Sequence, residues 1–336
     1  EQVTFATPAF LPPLRSRGEP ARLEFARWLV DRGSPTAARV EANRIWQALF
    51  GNGLVDTPED FGVRAPMPEQ QALLDWLAVE LMDQGWSRKT LIRTIVLSET
   101  YRQSSVVTPE LQERDPRNRL LARGPRFRAD AEVVRDSALF VAGLLHEAPG
   151  GPSVFPPVPE SLFAESYLDV DFWKTATGPD RYRRSLYVFR RRSMPDPVLA
   201  SFDAPNGDSA CVARERSNTP LAALTALNEP VFVEAAQAFA LRVLREGGST
   251  DAARAAYAFR LCTGRHPRPD EVAELLALIA SSRARMVDGW IPARVVAFGN
   301  GDTLPKLPPH TTPNDAAAWT IGGRVLFNLD ETLTKN

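Results

Sequence analysis

The chain predicts a mainly α fold: an irregular multi-helix domain with long proline-rich connections and at most a small β element. Three observations carry that expectation. Apolar side chains recur at helical spacing in one segment after another, as at Ala38, Ala42, Ile45, Trp46 and Leu49. Cap residues and prolines precede these segments and glycines follow them, the order in which helix ends satisfy their backbone groups. Residues 185–189 alone form a credible strand candidate.

The elements follow in order. Residues 1–20 hold Pro8, Pro12, Pro13 and Pro20, with Phe5, Phe10 and Leu11 between them. They read as an extended arm whose apolar side chains need a surface, either on their own domain or on a partner. Residues 21–31 and 35–50 read as two helices, the second with Ser34 as N-cap and Pro35 at its first position. Gly51 and Gly53 stop it. A third helix over 69–82 turns Leu73, Leu74, Leu77 and Leu81 inward. A fourth starts from a Ser87 cap with Leu91, Ile92, Ile95 and Val96 as its stripe.

After the Asp115-Pro116 break, residues 130–145 are helical and apolar on more than one face, which predicts a central core helix. Residues 147–181 are rich in proline and glycine and read as irregular. Thr219-Pro220 opens another helix, which Pro230 interrupts and which resumes to about Glu246. Thr250 caps the next, Pro269 opens another to about Asp288, and Asn314 caps a last one. The expected organisation is therefore an arm (1–20), a helical subdomain (21–146), an irregular region (147–218) and a second helical subdomain (219–288). A proline-rich connector (289–313), unusually long for a compact domain, and a C-terminal helix and tail (314–336) complete it.

The bulk properties narrow the function classes. With 44% hydrophobic residues in 336, the chain is that of a packed globular protein. Forty basic and forty-one acidic residues leave a net charge of -1, so no strong overall pull toward nucleic acid or anionic lipid follows. Lys89, Lys174, Lys306 and Lys335 are the lysines, so arginine, which pairs bidentately with carboxylates, supplies nearly all the positive charge. GC-rich coding accounts for that excess as readily as a binding role. The longest apolar run in a helical context, 138–145, falls far short of a membrane span. The chain starts at Glu1 with no charged-then-apolar leader, which reads as a processed product or part of a longer one. Cys211 and Cys262 are the cysteines and would pair only in an oxidising compartment.

Chemistry-bearing motifs are missing. His146, His266 and His310 are scattered, and no C-x-x-C-H, H-E-x-x-H, Walker A, G-x-G-x-x-G or G-x-S-x-G pattern occurs. Gly51-Asn52-Gly53 is explained by a helix end. Six arginines between Arg181 and Arg192, interleaved with Tyr182, Leu186, Tyr187, Val188 and Phe189, have the composition of a single-strand nucleic-acid grip. Glu160, Glu165, Asp169 and Asp171 lie just upstream, and a strand bonded to that acidic segment is the expected outcome. Glu59-Asp60 and Asp169-x-Asp171 have the types needed for acid-base work or calcium, and equally for capping. The sequence assigns no catalytic, cofactor-binding or metal-ligating residue.

Several segments in order resemble the PSD1 (DUF1553) domain family, found at the C-terminal end of large exported proteins of planctomycetes and related bacteria. They are Asn43-Arg44-Ile45-Trp46, Phe50-Gly51-Asn52-Gly53-Leu54-Val55, Thr57-Pro58-Glu59-Asp60-Phe61-Gly62, Leu74-Asp75-Trp76-Leu77 and Gly85-Trp86-Ser87. The stretches 98–105 and 115–121, then Arg184-Ser185-Leu186-Tyr187, Phe202-Asp203-Ala204-Pro205 and Leu326-Phe327-Asn328-Leu329, continue the likeness. The family often shares a polypeptide with a c-type cytochrome module, which implies an exported, respiratory or surface setting. It brings no established catalytic residues. Where relatives tend to carry His-Pro, His and Gln, this chain has Gln70-Gln71-Ala72, Ile92, and Ala222 or Ala223.

Together these readings predict a non-catalytic, exported scaffold that docks on a membrane-embedded electron-transfer assembly, a cytochrome complex or reaction centre, from the periplasmic side. It would have no cofactor, no nucleic-acid partner and no span of its own. Its anchors would be Phe5, Phe10 and Leu11 in the first arm, and Trp290, Ile291, Phe298 and Leu304 in the second. The alternatives are a hydrolase of extracellular polymers, with Asp60, Asp203, Arg44 and Arg190 in one cleft, and a glycan-binding module using exposed Trp and Tyr.

Overall fold

Helices dominate the computed structural model, which describes residues 7–335 apart from 16, 35, 63, 159–172, 193 and 300–304. Phe5, Leu304 and the acidic residues Glu160, Glu165, Asp169 and Asp171 lie outside the described residues. Among those described, β structure is limited to one two-stranded pairing, β1 (Phe127–Arg128) with β2 (Thr334–Lys335), and a few isolated bridges. The mainly α expectation holds. The chain divides into two compact units at residues 127 and 128, each with its own core.

The first unit holds α1 (Ala21–Leu29), α2 (Ala37–Phe50), α3 (Gln71–Asp83), α4 (Arg88–Val96) and the short α5 (Pro109–Arg114). α2, α3 and α4 pack on one another around Ala42, Ile45, Trp46, Phe50, Leu74, Leu77, Leu81, Leu91 and Ile95. Trp46 and Phe50, one helical turn apart, stack with ring centroids 3.9 Å apart, and Tyr101 meets Phe50 edge-on. Ser87 caps α4 as expected, its hydroxyl accepting from the Thr90 N–H. α2 begins after Thr36 rather than at position 35, and Ser34 is buried in front of it.

The segment after α2 is held by a fully buried asparagine. Asn43 Oδ1 accepts from the Val55 N–H at 2.9 Å, and its Nδ2 donates to the Val55 carbonyl at 3.2 Å. Gly53 lies so close that a Cβ there would sit 2.6 Å from the Val55 carbonyl oxygen and 2.7 Å from Asn43 Nδ2. Gly51 has φ +89, and a Cβ there would run into the Phe127 ring at 2.7 Å. The 115–121 stretch is similar in kind: Asp115 accepts from the N–H groups of Arg119 and Leu120, and the buried Arg123 donates to the carbonyls of Asp115 and Pro116.

The second unit holds α6 (Ala131–Ala142), α7 (Pro197–Ser201), α8 (Pro220–Asn228), α9 (Pro230–Glu246) and α10 (Asp251–Thr263). It continues with α11 (Pro269–Val287), α12 (Ala293–Phe298), α13 (Pro313–Phe327) and α14 (Asp330–Leu333). Its axis is the pair α9 and α13, with α6 on α9, and α11 and α12 on α13. α13 is buried nearly all round, from Ala316, Ala317, Ala318 and Trp319 to Leu326 and Phe327. Small residues make that possible. A Cβ on Gly323 would sit 3.0 Å from the Phe239 ring of α9, and one on Gly322 would sit 3.0 Å from Ile279 of α11. Thr219, Thr250 and Thr312 each accept from a backbone N–H of the helix they precede.

Three further expectations need correction. Residues 185–189 are not a strand: Ser185–Tyr187 is a single 3-10 turn, after which Val188 makes an isolated bridge to Val154. Arginine partners on both sides of the segment, described below, hold it in that turned form. The helix over 130–145 belongs to the second unit, because Val134, Ala138 and Leu139 pack into that core rather than the first. Within the 289–313 connector α12 folds and buries Ala297. The last helix is capped by Thr312, with Pro313 at its first position, not by Asn314.

Asn43→Ala should cost about 2–3 kcal/mol, since both backbone groups of Val55 would lose their partner inside the core. Urea unfolding followed by tryptophan fluorescence would read it as a fall in midpoint without a change of slope. A midpoint unchanged from the parent would show that the asparagine does not hold the loop.

Candidate functional site

The N-cap and first two turns of α6 gather one cluster of charged side chains in the second unit. Asp130, Glu132 and Asp136 project from it, and arginines from later segments reach back to them. Glu132 accepts from Arg214 Nη1 at 2.6 Å and also from Arg190. Asp130 accepts from Arg216 Nε at 3.2 Å. Asp136 accepts from the Ser185 N–H and the Ser185 hydroxyl, both at 2.7 Å, with Arg184 at 3.4 Å. Burial works against the Glu132 carboxylate, but bonding and charge from Arg214, with the charge of Arg190, outweigh it and hold its pKa below the usual glutamate range.

Beneath these pairs lies Arg135, 2% exposed. It donates to the carbonyls of Arg183 (2.9 Å) and Arg181 (3.2 Å) and to the Ser185 hydroxyl (3.2 Å). Arg181 pairs with Glu234 of α9 through Nε and Nη2, and the Tyr182 hydroxyl donates to the same carboxylate at 3.1 Å. Arg183 donates to the carbonyls of Ala148, Gly150 and Pro152, and its guanidinium stacks on the Tyr187 ring. Arg192 pairs with Asp208 at 3.9 Å. The arginine run thus spends Arg181, Arg183, Arg184, Arg190 and Arg192 on partners inside the unit. Among the described residues those partners are Glu132, Asp136, Asp208, Glu234 and loop carbonyls, and the upstream acidic residues lie outside the described ones.

A groove of about 740 Å³ runs beside these pairs. Val133, Phe140, Leu145 and Leu186 give it an apolar wall, with Val133, Phe140 and Leu186 well exposed. Asp130, Glu132, Asp136, Arg184 and Arg214 form its charged rim. Sequence reasoning missed Glu132, Asp136 and Glu234. The available signal was a cluster of charges, Glu132, Arg135 and Asp136, breaking the otherwise apolar α6.

The residues named from sequence are distributed as follows. Phe10 is 85% exposed, while Leu11 is half-buried and its N–H donates to the Pro8 carbonyl. The Trp28 indole donates to the Pro12 carbonyl at 2.8 Å, so this part of the arm lies against its own unit. Trp290 is 83% exposed. Ile291 and Phe298 are half-buried against the core of the second unit. Asp60 and Arg44 belong to the first unit, Asp203 and Arg190 to the second. Asp60 accepts from the Gly62 N–H, and Asp203 accepts from the Ser217 N–H and hydroxyl, both loop-fixing contacts. Cys211 and Cys262 are both free, the first exposed. Burial pushes the Cys262 thiol up to about 12. Among the described residues no group of three or more His, Cys, Asp or Glu side chains is placed to hold a metal ion, and no helix is long and apolar enough to cross a membrane.

One pair of carboxylates departs from this pattern. Burial raises the pKa of Asp196, whose side chain caps α7 by accepting from the Leu199 N–H. Burial, and then the nearby charge of Asp196, raise that of Glu229.

The two carboxylates give opposite signs in a stability test. Glu132, with its pKa depressed on folding, contributes stability above its unfolded pKa of about 4.3, lost as pH falls through the folded value. Asp196, with its pKa raised, withdraws stability as pH rises through its unfolded value toward the folded one. At pH 7, Glu132→Gln should therefore lower Tm by about 2–4 °C per kcal/mol lost, and flatten the acid limb of the stability curve. Asp196→Asn, which keeps the cap, should hold or raise Tm. Scanning calorimetry across pH checks both, and shifts of equal sign would contradict the assignment.

The PSD1 family, described as a protein of unknown function (DUF1553), matches residues 21–279, and the chain belongs to it. The match covers all of the first unit's helices and the second unit into α11. The first twenty residues and the core helix α13 lie outside it, as does the Leu326–Leu329 likeness. No curated protein and no solved structure matches the chain.

Proposed function

We propose that this member of the PSD1 family is a non-catalytic extrinsic scaffold subunit. It docks on a membrane-embedded electron-transfer assembly, a cytochrome complex or reaction centre, from the periplasmic side. The observation that carries the docking role is the α6 groove, where exposed Val133, Phe140 and Leu186 lie beside carboxylates each already bonded to arginine. A carboxylate held ionised by two guanidinium groups is a poor proton donor near neutral pH, whereas an apolar wall with a rim of paired charges suits protein recognition. The cytochrome modules that often accompany the family support the choice of partner and compartment. The exposed Phe10 and Trp290 add apolar contacts outside the groove.

A second reading rests on Asp196 and Glu229. Two carboxylates whose environments both raise their pKa are a feature of acid-base sites, here fitting hydrolysis of an extracellular polymer.

Solubilised from native membranes in mild detergent, the chain is expected to migrate on a gradient in stoichiometric amount with a haem-bearing or pigmented complex. Phe140→Ser with Leu186→Ser should weaken that association by roughly tenfold or more, the effect of removing apolar anchors from an interface. A chain that runs alone would sink the docking role. Polymer hydrolysis abolished by Asp196→Asn would establish the second reading.

A further inference from the structure

We infer that the cavity between α1 and the stretch before it is a binding site for a small carboxylate carried on an apolar body. The site is independent of the α6 groove, since every residue of its lining belongs to the first unit. Glu24, Arg27 and Trp28 share one face of α1, at positions i, i+3 and i+4, and Asp31 follows just past its end. Two tethers hold the preceding stretch against that face. The Glu24 carboxylate, 8% exposed, accepts from the N–H groups of Arg17 and Glu19, and the Trp28 indole donates to the Pro12 carbonyl at 2.8 Å. A cavity of about 300 Å³ remains between helix and stretch, with Ser34 also in its lining. The stretch precedes residue 21, where the family match starts, so membership of the family does not itself imply the site.

The polar groups of the lining fall into two sets. Its carboxylates are engaged: Glu19 with Arg27, Glu24 with the two N–H groups just named, and Asp31 with the Gly33 N–H. Among the described residues the guanidinium groups of Arg15 and Arg17 and the Ser34 hydroxyl have no bonding partner, although Ser34 is only 7% exposed. Buried polar groups are normally bonded, so an open hydroxyl in the lining calls for an acceptor brought from outside. Two guanidinium forks beside it make that acceptor an anion. Charge and shape then set its class. Glu19, Glu24 and Asp31 share the lining, so a doubly charged phosphate meets more repulsion than a singly charged carboxylate. Pro12, Pro13, Leu14 and the Trp28 ring form an apolar wall that an inorganic ion would leave against water. The volume lies at the lower end for ligand cavities, which fits a small molecule.

The test is saturation-transfer NMR and titration calorimetry on the purified full chain, with benzoate as the probe beside benzyl alcohol and inorganic phosphate. Benzoate is expected to bind, and the uncharged alcohol and the phosphate to bind about tenfold more weakly or worse. Arg15→Ala with Arg17→Ala should weaken benzoate binding by about tenfold or more, and Ser34→Ala by roughly two- to tenfold. Arg22→Ala, on α1 but outside the cavity, should leave it unchanged, and circular dichroism confirms that each variant is folded. No saturation of benzoate at millimolar concentration overturns the inference, as does benzoate binding that survives the double arginine variant. Benzyl alcohol binding as tightly as benzoate, or phosphate binding more tightly, overturns the assignment of a carboxylate.

Discussion

The second unit depends on one buried guanidinium. Arg135 sits in the middle of a core helix and is nearly sealed from water, so its charge is costly unless every direction around it is filled with acceptors. Two carbonyls and a hydroxyl of the arginine-rich segment fill them, with Asp136 at 3.7 Å supplying the nearest negative charge. The requirement runs both ways. The segment 181–185 passes from one 3-10 turn to the next, with a bridge from Arg183 to His146, and its Arg181 and Arg183 carbonyls face that guanidinium. Once it is fixed, Arg181 reaches Glu234, Ser185 reaches Asp136 and Leu186 is left facing outward into the groove. The apolar wall proposed as a docking surface is thus a consequence of how a buried charge is satisfied.

The helical half of the unit is tied by arginines of another kind. Arg265, at the end of α10, donates to Glu271 of α11 and Glu331 of α14 through paired bonds of 2.6–2.9 Å. Arg283 of α11 joins Asp251 at the start of α10 to Asp315 at the start of α13. Both clamps join helix ends, where the acids also meet unpaired backbone N–H groups. They are part-exposed, so each contributes modestly. Their effect is to fix which helix ends meet, while Gly322 and Gly323 let the helix bodies approach. An arginine-heavy composition becomes intelligible here without a nucleic-acid partner: lysine has no planar fork with which to grip two carboxylates at once.

The helices were legible because their signals are local. Ser87, Thr219 and Thr250 cap where side-chain chemistry says they should, and Pro230 marks a real break between α8 and α9. The strand at 185–189 was misread because β-prone residues carry no record of which distant groups their carbonyls will meet, and Arg135 lies fifty positions upstream of Ser185. The division at 127 was equally hidden. α6 is apolar on several faces, so its pattern states that it is buried but not in which core. Cys211 and Cys262 are a third case, since pairing depends on a proximity that spacing does not encode. Ile291 and Phe298, named from sequence as anchors, lie partly against the second core, because an apolar residue in a proline-rich stretch is as ready to cover its own core as a partner's.

Much of the family likeness in the first unit is explained by backbone support. Asn43 and Gly53 lock the turn after α2, Ser98 closes the end of α4 by donating to the Ile95 carbonyl, Gln103 donates to the Leu121 carbonyl, and Asp115 holds the following loop. Residues used in this way are constrained by geometry and need no substrate to account for them. The positions at which the sequence reading expected His or Gln from the likeness carry different demands. Gln71 donates to Asp75 beside Arg39 on a partly open surface, Ile92 is partly exposed on α4, and Ala222 is buried in the second core with its backbone N–H donating to the Thr219 hydroxyl. A long polar side chain at 222 would have to find a partner inside an apolar cluster, and alanine removes that need. Loops held by side-chain bonds and a core free of unpaired polar groups are both demands of the fold itself, and they act before any surface or site is considered.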